Sequence, residues 1–437
     1  MQPDTINNYA YYETLGFGNY TSWSEKDLAQ FLLFDSLDTS LETRDVNEKS
    51  FLAEQEHRIK KYRQYILPLA ILDIIFLLVY LRGSTSKSSQ KKVLFEGAKY
   101  PSLIWEAKKH YQVRLTVSSK EDRLFAMKSF TGYLNINDLD PLFFYYVKEK
   151  NIRYLYELVE KMENKLKMVA PDYIVLCMDM LPLERAIVLA AKKLGIPTLV
   201  VQHGMCDVPT CSHDFKVADY VLMWGEYFKD LCIKYCMRKA EDIYILGYPY
   251  VMRNNMGIDN QRRTVCYLGQ DLEAGNKDFL LIKLETIHRL SKICDALGLD
   301  FIYRPHPRRE EQKVISRNLA GILVTPKGET LQQTFRRADI FVSFSSTALI
   351  EAAMSSKVAV QLLNYPIATD NLEGLGVCSQ SFQTIEELQS YLTKIADAPD
   401  LNRFQIKCNN DYVETKYDPG KRFMEIIEII EKSRYAI

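Results

Sequence analysis

Several features common in other classes of protein are scarce in this chain of 437 residues. There is no basic excess, since Lys+Arg and Asp+Glu each number 56. General nucleic-acid binders carry a basic surplus, so no nucleic acid is expected as a partner. There are nine cysteines, an odd number without CxxC pairing, which excludes a regular disulfide framework and points to reduced, buried thiols. The first 19 residues lack the basic start and apolar run of a secretory signal. No uninterrupted apolar stretch reaches the roughly 20 residues of a membrane-crossing helix. The nearest approach, residues 65–81, is broken by Pro68 and Asp73. No Asp-x-Asp pair of the kind that holds Mg²⁺ beside a nucleotide is read, and no metal or resident cofactor is expected.

What is present reads as an α/β protein: two Rossmann-like domains facing across a cleft, behind an N-terminal helical extension. The extension covers residues 1–90. Three readings of residues 65–81 stand side by side. The first is a helix lying in the membrane interface, with Arg58, Lys60, Lys61 and Arg63 on one side and Arg82, Lys87, Lys91 and Lys92 on the other. The others are a buried helix and a true span, for which Asp73 is costly. The expected location is cytoplasmic, at the inner face of the cell membrane. Residues 84–90 form a Ser-rich linker.

The first domain, residues 91–255, opens with a short apolar strand at 93–95, Gly97, and a helix over 102–110. Residues 141–168 read as one long helix. A strand at 173–177 leads to Asp179, then to a helix over 183–194 closed by Gly195. The strand at 198–202 is apolar until its last residue, as in a buried parallel sheet, and ends in Gln202–His203–Gly204. In open α/β sheets ligands bind at the carboxyl ends of strands, which puts His203 where chemistry is done. Two more strands follow, and residues 252–263 read as a linker. The second domain, residues 256–437, repeats the pattern. A strand at 265–268 ends in Gly269 and Gln270. A strand at 300–303 ends in Arg304–Pro305–His306–Pro307. A strand at 340–342 ends in Ser343, Phe344, Ser345, Ser346 and Thr347, which open a helix carrying Glu351. A hydroxyl-rich turn at a helix N-terminus offers free N–H groups and positive dipole to a phosphate.

In order and separation, Gln202–His203–Gly204, Arg304–Pro305–His306–Pro307 and the serine run through Glu351 resemble bacterial surface-polysaccharide transferases of GT-B fold. These are the capsule polysaccharide synthesis proteins, including Kdo and polysialic acid transferases, and the CDP-glycerol glycerophosphotransferases. The resemblance covers about residues 91–400. It implies that Arg304 and His306 bind the donor's phosphate beside Ser345 and Ser346, that Glu351 lies near the ribose, and that His203 works as base near the transferred group. The aspartate-rich motif from which polysialic acid transferases draw their base is missing.

Each residue also has a plainer reading. His203 suits a strand cap, His306 a turn between prolines, Ser345 and Ser346 an ordinary N-cap, and Glu351 a solvated helix position. Asp179 is read foremost as the N-cap of the helix that follows it. His203, Cys206, Cys211 and His213 lie within eleven residues but lack the paired spacing of a structural zinc site. His213 with Asp214 is a second candidate for the base, a carboxylate orienting an imidazole. The expected activity is transfer of a sugar, with a CMP-linked acidic sugar named first, to a surface polysaccharide or lipid-linked glycan, metal-independent and inverting. The rivals are a CDP-polyol phosphotransferase, a UDP-GlcNAc 2-epimerase and a non-enzymatic nucleotide-sugar scaffold. For the epimerase the only strand-end acids read nearby are Asp179, Glu226 and Asp271.

Overall fold

A computed structural model describes residues 13–33, 56, 60, 90–206, 215–250, 263–270, 277–306 and 318–435. The expectations for residues 65–81, Cys211, His213, Asp214, Asp271 and the linker at 252–262 lie outside the described residues. Among the described residues no helix is long and apolar enough to cross a membrane. The eight described cysteines are all free and buried. The chain forms two compact units, one of Met1–Tyr250 with Thr415–Ile437 and one of Val251–Glu414.

Unit 1 is built on a seven-stranded sheet whose paired strands are all parallel. Its strands are β1 (Lys92–Glu96), β2 (Gln112–Val117), β3 (Gly132–Asn135), β4 (Tyr173–Leu176), β5 (Thr198–Val201), β6 (Tyr220–Met223) and β7 (Ile243–Ile245), in the order β3-β2-β1-β4-β5-β6-β7. The run of buried residues in β1, β4 and β5 follows from helices covering both faces.

The helices of this unit are α1 (Glu25–Leu33), α2 (Pro101–Ala107), α3 (Lys120–Lys128), α4 (Asp140–Glu149), α5 (Arg153–Val169), α6 (Pro182–Lys193) and α7 (Glu226–Tyr235). The single helix expected over 141–168 is two, because Lys150 takes a left-handed conformation (φ 51°) that ends α4. Gly195 stands past α6 with φ 68°, the expected helix stop.

Part of the N-terminal extension is integral to this unit. A 3₁₀ helix at Phe17–Ser22 and α1 lie on α5 and α6. Phe17, Trp23 and Phe31 pack mutually in tilted and edge-to-face contacts with ring centroids 5.6–5.9 Å apart. Arg185 on α6 donates from Nη1 to the Phe31 carbonyl at 2.8 Å, and Tyr20 donates to Glu163 on α5 at 3.3 Å. Phe31 and Leu32, apolar residues in a polar stretch of sequence, are thus buried in this packing.

Unit 2 holds a six-stranded parallel sheet of β8 (Thr264–Leu268), β9 (Asp300–Arg304), β10 (Leu323–Val324), β11 (Ile340–Ser343), β12 (Val358–Leu362) and β13 (Gln380–Phe382), in the order β10-β9-β8-β11-β12-β13. Its helices are α8 (Lys277–Ala296), α9 (Leu331–Arg337), α10 (Thr347–Met354) and α11 (Ile385–Ala396).

The last helix, α12 (Pro419–Tyr435), belongs to unit 1, although the sequence reading runs the second domain to residue 437. Phe423, Ile426, Ile427 and Ile430 are fully buried in the same core as Val93, Phe95 and Ile104. Arg422 donates from Nε to the Ile245 carbonyl at 3.0 Å. The apolar stripe of this helix has no equivalent among the strand-helix repeats, which is why counting repeats misplaced it.

Close approach of α12 to α2 requires Gly420. A Cβ there would meet the Glu106 Cβ at 2.8 Å and the Ser102 carbonyl oxygen at 3.0 Å. Gly420→Ala is expected to lower unfolding stability by about 1–3 kcal/mol through overpacking, read as a lower urea midpoint. An unchanged midpoint would show that this contact does not set how the helix packs.

Candidate functional site

Each sheet reverses its strand order once, between β1 and β4 in unit 1 and between β8 and β11 in unit 2. At such a switch point the connections leave to opposite faces, and a crevice opens at the carboxyl ends of the two strands. The polar groups of both units gather at these places.

In unit 2 the junction is held by Gln270, just past β8. Its carbonyl oxygen accepts from Ser345 N at 2.9 Å and from the Ser343 hydroxyl at 3.2 Å. Its Nε2 donates to Ser345 Oγ at 3.3 Å. The Ser343 hydroxyl also reaches the Leu268 carbonyl at 3.1 Å, and Ser343 is fully buried. Ser346 is the N-cap of α10, its Oγ accepting from Ala348 N at 3.3 Å. Ser345, Ser346 and Thr347 remain partly exposed at the start of that helix. The structure therefore brings Gln270, Ser343, Ser345, Ser346 and Thr347 together. Gln270 and Ser343 form the clamp, and the other three form the rim.

The Gly269 amide donates to the Arg304 carbonyl at 2.7 Å, which extends the β8–β9 ladder. The Arg304 guanidinium turns toward α9. Its Nη1 donates to Thr334 Oγ1 at 2.6 Å and its Nη2 to the Glu329 carbonyl at 3.0 Å. Glu329 in turn accepts from Arg337 at 2.7 Å. Burial pulls the Arg304 pKa down, while Glu329 and Glu351 act to raise it. Glu351 thus stands in electrostatic contact with Arg304. His306 follows at the end of β9, half-buried.

In unit 1, Gln202 is fully buried. It accepts from Trp224 N at 2.9 Å and donates to the Gly204 carbonyl at 3.0 Å, so it locks the end of β5 to that of β6. His203 is half-buried beside it. Its pKa is lowered from 6.5 to about 4, first by burial and then by the Lys99 charge, against a hydrogen bond to the Cys177 carbonyl. It is a neutral imidazole at pH 7.

Around His203 stand four groups that the sequence reading missed. Glu96 ends β1, and its Oε2 accepts from Cys177 N at 2.8 Å. Lys99 donates to Cys177 Sγ at 2.9 Å. Burial pushes the Cys177 thiol up, Glu96 adds to this and Lys99 opposes it. Glu184, in the first turn of α6, is only 7% exposed and hydrogen-bonds Glu96. Burial raises its pKa well above the usual 4.5, and the Glu96 charge raises it further. Gly97 shapes the turn between Glu96 and Lys99. Its φ is +61°, and a Cβ there would lie 2.9 Å from Asp122 Oδ1, the atom that accepts from Ala98 N. The available signals were a strand-end Glu–Gly and a carboxyl in the first turn of an Ala- and Leu-rich helix. Neither identifies a site until topology joins them.

Other acids have structural duties. Asp179 is fully buried and accepts from Val217 N at 2.7 Å and Ala218 N at 2.9 Å. It does not cap α6, whose N-cap is Leu181 with Pro182 behind it. Glu226 is exposed in the first turn of α7. One Asp-x-Asp does occur, Asp138–Leu139–Asp140, at the opening of α4. There Asp138 pairs with Lys165 at 2.9 Å. Among the described residues no group of three or more His, Cys, Asp and Glu is placed to hold a metal ion. Of the four zinc-ligand candidates only His203 and Cys206 are described.

The lowered pKa of His203 ties it to stability. The unfolded chain binds its proton below about 6.5 and the folded chain only near about 4. Stability on its account is therefore lost as pH falls through that window, by on the order of 3 kcal/mol. Denaturation at several pH values should show wild type losing ground to His203→Gln as the pH drops. A difference independent of pH would disprove the neutral burial of this imidazole.

No family model matches the chain, and no curated protein matches it in sequence. Solved structures do match in fold. They include S. aureus MnaA in complex with UDP, with a TM-score of 0.55 at 14% identity over 80% of this chain and 98% of that one. Another is UDP-GlcNAc 2-epimerase from Methanocaldococcus jannaschii with UDP-GlcNAc and UDP, at TM-score 0.53 and 14% identity over 78% and 99% of the two chains. A third is a glycosyltransferase from Rickettsia africae, at TM-score 0.51 and 11% identity over 79% and 98%. Identities this low show a shared fold, which is the GT-B class with its two parallel α/β units.

Proposed function

We propose that the chain is an enzyme of nucleotide-linked sugars, and specifically a metal-independent, inverting glycosyltransferase of cell-envelope polysaccharide synthesis. The observation that carries this reading is the clamp at the β8–β11 switch point. Gln270 fixes the backbone of Ser345 so that three hydroxyl residues crown the N-terminus of α10. A donor's phosphate is stabilised there by helix dipole and hydroxyl groups. Arg304 and His306 add donors from the adjoining strand end, with Glu351 near the ribose. Because both Nη atoms of Arg304 already hold protein partners, its charge counts for more than a bidentate contact.

Departure of a nucleotide phosphate needs such a positive site, and the attacking hydroxyl needs a group to take its proton. In this reading the acid–base work falls to the carboxyl edge of unit 1, where His203 stands. His213 with Asp214 is kept as a further candidate. The donor is a nucleotide-activated sugar, a CMP-linked acidic sugar first, and the acceptor a surface polysaccharide or lipid-linked glycan. Peripheral membrane contact through residues 65–81 belongs to the same proposal. Transfer of a CDP-linked polyol phosphate would use the same phosphate site and is separated by phosphorus in the product.

A second reading is favoured by one observation. Epimerases of UDP-GlcNAc share this fold, and the carboxyl groups that the sequence reading found wanting are present as Glu96 and Glu184. Conversion of UDP-GlcNAc without any acceptor would decide for it.

Calorimetric titration with CMP, CDP, UDP and GDP tests the phosphate site. One nucleotide is expected to bind, with its affinity reduced about tenfold or more in a His306→Ala, Glu351→Gln variant that retains its fold. Preference for UDP or GDP would overturn the cytidine donor. Failure of folded protein to bind any nucleotide would overturn the enzyme reading.

A further inference from the structure

The β1–β4 crevice of unit 1 holds more chemistry than His203. Five functional groups from three adjacent strand ends and one helix converge there: Glu96, Lys99, Cys177, Glu184 and His203. Two of them are carboxyls in hydrogen-bond contact, which requires a proton between them, since two carboxylates repel. Geometry says which one carries it. Glu96 is half-buried and accepts a backbone N–H. Glu184 is more than nine-tenths buried, and its Oε2 is sealed from solvent with no hydrogen-bond partner among the described residues. An ionised oxygen in that position is far more costly than a neutral one.

We propose that Glu96 is the proton acceptor for a sugar or polyol hydroxyl bound in this crevice, and that Glu184 is a neutral positioning residue that donates its proton to Glu96 and orients it. This rests on the transferase reading above and names the acid–base group within it. In the step, the hydroxyl O–H bond breaks and its proton passes to Glu96. The oxygen's electron pair forms the bond to the donor's anomeric carbon. The bond from that carbon to phosphate oxygen breaks, and the phosphate leaves with those electrons. Glu96 then returns the proton to water.

His203 is the poorer acceptor. A proton on it would put a second cation beside Lys99, and burial of the ring disfavours its charged form. Lys99, by contrast, offsets the single negative charge of the carboxyl pair. The groups facing Glu184 are Glu96 and Lys99, with Cys177 and His203 beyond them. Burial and the Glu96 charge push the Glu184 pKa up, so the neutral form is favoured and its ionisation as the pH climbs brings the two carboxylates into conflict.

Two measurements test this. Infrared spectroscopy of the full chain at pH 7 is expected to show the C=O stretch of a buried protonated carboxyl, absent in Glu184→Gln. Nucleotide release from CMP- and UDP-linked sugars, with water as acceptor, is expected to fall about 100-fold or more in Glu96→Gln while nucleotide affinity stays as in wild type. Glu184→Gln still offers a donor to Glu96, so it should keep most of its turnover and lose the alkaline fall of the pH profile. Glu184→Ala should lose turnover as Glu96→Gln does. Absence of the infrared band, or wild-type turnover in Glu96→Gln, would overturn the proposal. If the wild type binds no nucleotide, the acid–base role falls with the transferase reading, and the infrared band alone decides whether the pair shares a proton.

Discussion

A parallel sheet covered on both faces can meet a polar ligand only at the ends of its strands. Both units of this protein live under that constraint. Their central strands are almost wholly apolar and buried, so side chains able to form hydrogen bonds are pushed to the strand ends. Which edge positions become neighbours is then a matter of strand order. The reversal between β1 and β4 brings Glu96 to the Cys177 amide, and the reversal between β8 and β11 brings Gln270 to Ser345. The two crevices are made alike and filled differently. One is rich in carboxyls with a single lysine, and the other is rich in hydroxyls at a helix start with an arginine beside it.

Much of the fold was legible in the sequence because its signals are local. Apolar runs marked the central strands, and Gly195 marked a helix stop. The serine run after β11 announced a helix start that the structure caps with Ser346. The illegible parts depend on contacts between distant segments. Lys150 breaks a helix by its backbone angle, although its side chain is an ordinary helix former. Short β10 and β13 have too few apolar residues to be seen alone.

The site divides in the same way. Gln270, Ser343, Ser345, Ser346 and Thr347 were found because they sit in contiguous motifs at strand ends. Gln202 and His203 were found together, yet they have separate tasks, one locking two strand ends and the other facing the crevice. Glu184 was missed because a carboxyl on an Ala- and Leu-rich helix reads as a solvent-facing residue. Its burial follows from the approach of β1, nearly ninety positions earlier in the numbering. Asp179 misled in the opposite sense. A strand-end acid is a natural ligand for substrate, but its Oδ2 is engaged by two backbone amides that hold the approach to β6.

The return of the chain to unit 1 after Glu414 has a topological consequence. Unit 2 is an insertion, entered and left by the chain within a single host unit, and each unit has a different relation to the linear gene. Unit 2 is one uninterrupted stretch that can be excised as such. Unit 1 is written in two pieces, and a cut that keeps only the first leaves Phe95 and Ile104 facing the space that Phe423 and Ile426 occupy. During synthesis the host sheet is complete long before its last core helix is made. Unit 1 therefore reaches its final packing only after the whole of unit 2 has been synthesised.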